Sequence, residues 1–257
     1  MPRQRGATKK WICVLAVVLG VLSCSEAPVV EEDPTGRIVL AELFTHAFCV
    51  NCPFSKRALD SLSKEYGDSL AVIAYHKRFF LDTLSPADVA VRESLYQVTV
   101  QPTVIFDGIN TVLTEDPSQD YQVYRGWIVS ERNRAPQLRL HLETSVSAPL
   151  LELTVYVAVI DSVQPGDYHV FYVVYEDSVQ FSHPAATDSF FSFVVRKMIP
   201  DPYGSSIELE FPDSSVYTET VVLDDTWDTD KLGVVAFVQE MSSHDILQAV
   251  VVKRLIE

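Results

Sequence analysis

The chain has 257 residues, 47% of them hydrophobic and 21% charged, with a formal net charge of −15. That is enough apolar material for one large core or two modest ones, which excludes a disordered tail. An acidic balance of this size also excludes a nucleic-acid partner, because phosphate binding needs neutralising Lys and Arg.

Basic residues Arg3, Arg5, Lys9 and Lys10 open the chain and lead into an apolar run from Trp11 to Leu22. At 12 residues the run suits an export signal and falls short of the roughly 20 residues that span a bilayer. It ends in Val21-Leu22-Ser23-Cys24, which resembles the lipobox of bacterial lipoproteins. The resemblance implies a signal peptide over residues 1–23 and lipidation of Cys24. With Ser25 following, it also implies anchoring in the outer membrane, facing the periplasm or the cell surface. Removal of residues 1–23 takes away four basic residues and no acidic ones, moving the formal charge from −15 to −19. Residues 24–36, acidic and broken by Pro28 and Pro34, read as a tether.

Strand and helix patterns then alternate. "RIVLAELF" (37–44) reads as a buried strand, and "PFSKRALDSLSKEY" (53–66) as a helix with Pro53 in its first turn and Phe54, Ala58, Leu59, Leu62 and Tyr66 at helical spacing. "LAVIAYH" (70–76) reads as a strand, residues 85–98 as a helix, "PTVIFDG" (102–108) as a strand with its turn, and 117–134 as a helix weakened by Gly126. This order predicts an α/β layer over residues 37–134. From Gln137 the grain changes to short, alternating segments rich in Val, Phe, Tyr and Leu with turns such as "PGD" (165–167) between them, which predicts an all-β sandwich over 137–257. The boundary falls near Ala135-Pro136. The acidic run at 224–230 lacks the spacing and central glycine of an EF-hand and reads as a solvated turn.

Cys13 lies in the signal and Cys24 at the lipidation position, which leaves Cys49 and Cys52 as the thiols of the folded part. A disulfide between them is permitted in an oxidising compartment. They stand between a strand and a helix, where unpaired backbone N–H groups and the helix dipole stabilise a thiolate. A purely structural clip there closes so short a loop that it gains little chain entropy. The pair by itself leaves a redox couple, a metal site and a clip all open.

The strand, the Cys-x-x-Cys on a helix and the later "VTVQPTVIFDG" together resemble the thioredoxin superfamily over residues 37–134. The resemblance implies Cys49 as the exposed nucleophile, Cys52 as the buried resolving thiol and Pro102 as a cis-proline facing them. Gln101, Phe48, Val50 and Asn51 become the expected substrate contacts. Read without the resemblance, Pro102 is an edge-strand proline. The dipeptide Val50-Asn51 and Phe48 depart from thioredoxin, so the redox potential is not inherited, and reductase, oxidant and isomerase stay open. The segment around "HKRFFLDTLSPADVAVRESLY" (76–96) is an addition whose Phe79, Phe80 and Tyr96 either rim a groove or pack the added helix onto the sheet. Over nearly its whole length the chain also resembles secreted or lipidated proteins related to the 28-kDa outer-membrane protein of Bacteroidetes-like bacteria. It does so through "LAELFTHAFCVNCPFSKRAL", residues 72–108 and "VVAFVQEMSSHDILQAVVV".

The function this implies is thiol–disulfide exchange in the envelope. Its partners are protein thiols or disulfides and a further redox partner, the membrane is reached only by the lipid, and no cofactor is needed. A metal reading has His46, Cys49 and Cys52 as its donors, with His76 as a fourth only if its strand ends beside Cys49; neither copper nor zinc is expected. No hydrolase or P-loop motif is present, and His141, His169, His183 and His244 read as surface residues. The rival is a non-enzymatic lipoprotein that binds or scaffolds through its β region, with a structural disulfide. An open nucleophile sulfur beside a groove favours exchange, and sulfurs covered by the Phe79-Phe80 segment favour the rival.

Overall fold

The computed structural model describes Met1 and residues 36–255. The expected signal peptide, Cys24 and all of the tether but Gly36 lie outside the described residues. In chain order the α/β half holds β1 (Val39–Thr45), α1 (Cys52–Tyr66), β2 (Leu70–His76), α2 (Ala90–Leu95), β3 (Thr103–Phe106), β4 (Asn110–Val112) and α3 (Asp120–Arg132). The β half follows with β5 (Leu138–Ser147), β6 (Leu150–Val159), β7 (Tyr168–Glu176), β8 (Val179–Gln180), β9 (Phe190–Phe191), β10 (Val194–Ile199), β11 (Ser205–Ile207), β12 (Ser214–Val222), β13 (Leu232–Glu240) and β14 (Ile246–Val252). Among the described residues no helix is long and apolar enough to cross a membrane.

In the first half β1 pairs β2 in parallel and β3 antiparallel, and β3 continues to β4. Successive side chains of a strand point to opposite faces, and these strands are apolar on both. Val39, Ala41 and Leu43 face one core, shared with Ala58, Leu59 and Leu62 of α1 and Tyr124 and Ile128 of α3. Leu40 and Phe44 face a second core together with Ala71, Ile73 and Tyr75. Phe54, placed on the helix's apolar stripe by its spacing, is 42% exposed and contributes to neither. The helix pattern read at 85–98 resolves into a short 3-10 turn and the six residues of α2.

The second half does not stand apart. β10 runs parallel to β2 through the pairing of Val194 with Ala74, and the N–H of Ala74 donates to the carbonyl of Phe193 (2.7 Å). One sheet therefore runs β14-β13-β7-β10-β2-β1-β3-β4, with β11 paired to β7, across the expected boundary near residue 135. Residues 36–255 belong to a single compact unit. A second sheet, β12-β6-β5, covers the β7–β13 end to close the sandwich. Strand β7 explains the apolar run "VFYVVY" (170–175). Its Val170, Tyr172 and Val174 enter the sandwich core, while Phe171, Val173 and Tyr175 enter the core under β1 and β2.

Candidate functional site

Cys49 and Cys52 form a disulfide (S–S 2.03 Å) at the head of α1. The turn that carries them is shaped by local bonds. The N–H of Cys49 donates to the carbonyl of His46 (3.1 Å), and that of Cys52 to Cys49 Sγ (3.1 Å). Asn51 precedes the helix without a side-chain cap, and Pro53 occupies its first turn. First-turn amides left uncapped beside a sulfur favour negative charge on it once the bond is reduced.

Gln101-Pro102 is cis and leads directly into β3. Because Thr103 pairs with Phe44, this bond lies at the end of the sheet from which β1 runs on to the cysteines. Gln101 and Pro102 are half-buried there, and the side-chain nitrogen of Gln101 is buried with no protein partner. Val50 and Asn51 are exposed beside the disulfide, and Phe48 is half-buried.

The expectation of an open Cys49 and a covered Cys52 does not hold, for Cys49 is only 6% exposed and Cys52 4%. The turn is also held from outside the α/β half. The hairpin of β8 and β9, which belongs to the β half, clasps the cysteine turn. Both the N–H and the hydroxyl of Thr187 donate to the carbonyl of Ala47 (2.9 and 3.1 Å). Lys56 on α1 donates to Asp188 (2.8 Å) and to the carbonyl of Phe190 (2.6 Å). Phe48 meets Phe181 and His183 edge to face, with ring centroids 6.0 and 5.0 Å away. Ala47, Leu84, Val179, Phe191 and Val194 form a small apolar core of their own beneath.

The two aromatic alternatives for the added segment divide. Tyr96 packs edge-on against Phe44 and its hydroxyl donates to Glu42 (2.6 Å), whereas Phe79 and Phe80 stand out at 52% and 76% exposure. Phe80 reaches back to Phe48 (5.5 Å) and Phe79 to His46 (4.8 Å).

Sequence reasoning missed Asp82. Its carboxylate is buried, accepts the N–H of Ala47 (2.6 Å) and of Leu84 (3.0 Å), and holds His76 Nδ1 at 3.0 Å. Burial pushes this carboxyl up, but the His76 hydrogen bond and the backbone donors outweigh it and bring it below the usual range. His76 pairs with Thr45 at the end of β2, so the couple braces the cysteine turn from behind. No sequence signal marks a lone Asp in an exposed-looking "FFLDT" as buried. Burial lowers the pKa of His46. Among the described residues no three His, Cys, Asp or Glu side chains gather as a metal site. Of the other histidines, His141 lies beside Glu143 and His169 beside Asp167, while His183 joins the site edge-on to Phe48.

The fold and the site together define a class: a thioredoxin-like α/β region with a Cys-x-x-Cys disulfide at its helix N-terminus, continued by a β-sandwich. That architecture is shared with HBP35 of Porphyromonas gingivalis, at TM-score 0.68 and 16% identity over 85% of this chain and 75% of that one. A protein of Agrobacterium tumefaciens superposes at TM-score 0.58 with 15% identity, covering 85% of this chain and 95% of its own. A domain of the outer membrane lipoprotein Omp28 from Porphyromonas gingivalis overlaps 47% of this chain at TM-score 0.35 and 13% identity, too slight a match to argue from. No family model matches the sequence, and no curated protein matches it.

Proposed function

We propose that the protein is an envelope thiol–disulfide oxidoreductase working through Cys49 and Cys52. The observation that carries this reading is the disulfide itself, formed at an uncapped helix N-terminus on a thioredoxin-like region. In the reduced pair the Cys49 thiolate attacks one sulfur of a substrate disulfide, forming a mixed disulfide and releasing one substrate thiolate, which takes up a proton. The Cys52 thiolate then attacks Cys49 Sγ, releasing the second substrate thiol and closing Cys49–Cys52. Two electrons pass to the substrate, and a dithiol partner returns them. The reverse sequence oxidises a substrate dithiol. Gln101, Pro102, Phe48, Val50 and Asn51 line the approach, and the chemistry calls for no cofactor.

Residues 37–134 supply the chemistry in this reading, and 137–257 supply support and cover. The N-terminal signal pattern and Cys24 support an envelope location, with lipid as the tie to the outer membrane. The acidic charge keeps nucleic acid away.

The closed state of Cys49 supports a second reading, a locked disulfide in a lipoprotein that binds through its β region. The equilibrium potential of the pair separates the two. A value between about −120 and −270 mV falls among catalytic pairs, whereas one below about −300 mV with thiols unreactive in the folded protein marks a structural bond. In insulin reduction or dithiol oxidation, Cys49→Ser is expected to abolish turnover and Cys52→Ser to trap mixed disulfides. Unchanged turnover in Cys49→Ser removes the enzymatic reading.

A further inference from the structure

The segments framing the disulfide, residues 44–59 and 76–81, carry Lys56, Arg57, Lys77 and Arg78 and no acidic residue at all, in a chain whose net charge is −15. Their exposed side chains include Phe79 and Phe80. A basic, aromatic surface on an acidic protein is complementary to an acidic, aromatic partner. The structure shows such a partner already seated, and it comes from the same chain.

Residues 181–191 lie against one part of this surface, at Ala47, Phe48, Lys56 and His76, as a peptide ligand does. They offer a backbone N–H and hydroxyl from Thr187 to Ala47, a carboxylate from Asp188 to Lys56, and rings to Phe48 and His76, the last with Phe191 at 5.1 Å. Their own hairpin is slight, holding together through Val179–Phe191 and Gln180–Phe190 pairing, a bond from Phe181 N–H to Ser189 (3.0 Å), and bonds to His183 from the N–H groups of Ala185 (3.1 Å) and Ala186 (3.0 Å). So short a ladder belongs to the least stable part of a fold, the part that opens locally.

We propose that residues 181–191 occupy the docking face of the disulfide as an internal ligand. From solution that face takes a polypeptide loop of the same chemistry, a carboxylate with aromatic side chains two and three residues after it. The inference rests on the oxidoreductase reading for its purpose, since the hairpin is bonded to Ala47 and packed on Phe48 next to Cys49, but its test does not depend on redox chemistry. Binding of the external segment and opening of the hairpin are one exchange, so weakening the internal ligand strengthens the external one.

The probe is a fluorescently labelled peptide of residues 181–191, which contains no cysteine, titrated into the full-length protein and followed by anisotropy. Asp188→Asn and Thr187→Ala, both at the loop tip, serve as separate variants, so that a folding defect in one leaves the other, each checked by circular dichroism. The peptide is expected to bind Asp188→Asn at least about tenfold more tightly than wild type, and Thr187→Ala more tightly by a smaller factor. The same peptide carrying Asp188→Lys is expected to lose that affinity. Reduction of Cys49–Cys52 by dithiothreitol is expected to be several-fold faster in both variants. Equal affinity for wild type and both folded variants overturns the proposal, and so does binding indifferent to the peptide's charge. Peptide binding as expected with a pair below about −300 mV upholds the docking face and removes the oxidoreductase reading alone.

Discussion

The two halves of the molecule are held together by different physics. In the sandwich, the core between β12-β6-β5 and the β7–β13 end is built of Leu, Val and Ile with a few tyrosines. Its tyrosine hydroxyls donate to backbone carbonyls, Tyr172 to Tyr217 (2.7 Å) and Tyr168 to Gln164 (2.6 Å). The α/β half buries polar and charged pairs: Arg37 with Asp107 (2.6 Å), Arg92 with Glu42 (2.7 Å) and His76 with Asp82 (3.0 Å). These pairs sit where the halves meet or where the cysteine turn is braced. Arg37 also donates to the carbonyls of Leu247 and Ile246 on β14, and Arg92 to Gln239 on β13. Apolar burial is non-directional and fills the sandwich, while the directional bonds fix one arrangement of α2, β1 and the cysteine turn against it.

The contrast breaks most sharply at Arg92. Arg92→Leu leaves Glu42 buried without its cation, for an expected loss of about 3–5 kcal/mol in urea unfolding. A loss under about 1 kcal/mol would show the seam to be dispensable. Leu153→Ala, in the sandwich, is expected to cost about 3 kcal/mol by cavity formation, with no change in how stability depends on pH or salt. The smallest effects are read from pH slopes. Burial pushes Asp107 up to about 6, even against Arg37. Its folded value thus exceeds the unfolded value of about 4, so its contribution is complete below the latter and is lost as pH rises through 6. Asp82 has the opposite sign. Its folded carboxyl is depressed, so its contribution is present above the unfolded value and lost as pH falls below it. Asp107→Asn should flatten the slope of stability between about pH 4 and 7, and Asp82→Asn the slope below about pH 4. Parallel slopes in wild type and variant would count against either assignment.

Much of this was legible in the chain. The strand at 70–76, the helix from Pro53 to Tyr66, the switch of grain at Gln137 and the Cys-x-x-Cys placement all follow from local periodicity and turn chemistry. What was hidden depends on contacts far apart in sequence. The single pairing of Val194 with Ala74 joins the halves into one sheet, and no local pattern announces it. Phe54 shares the helical spacing of Ala58 and Leu62 yet stands exposed, because spacing alone does not tell a buried stripe from its margin. The clasp on Ala47 and Lys56 is hidden because Thr187 and Asp188 sit in "AATDS", which reads as an ordinary surface turn. Asp82 escaped notice because its partners are backbone N–H groups, which leave no trace in composition.

Strand β7, apolar on both faces, has a further consequence. Since Phe171 and Val173 complete the core beneath β1 and β2 while Val170 and Tyr172 complete the sandwich, neither core survives its withdrawal. Amide protons of β1 and of β6 should therefore exchange with solvent through one shared opening, at a common free energy. A defect planted deep in the sandwich would then be felt as faster exchange in the strand that leads to Cys49.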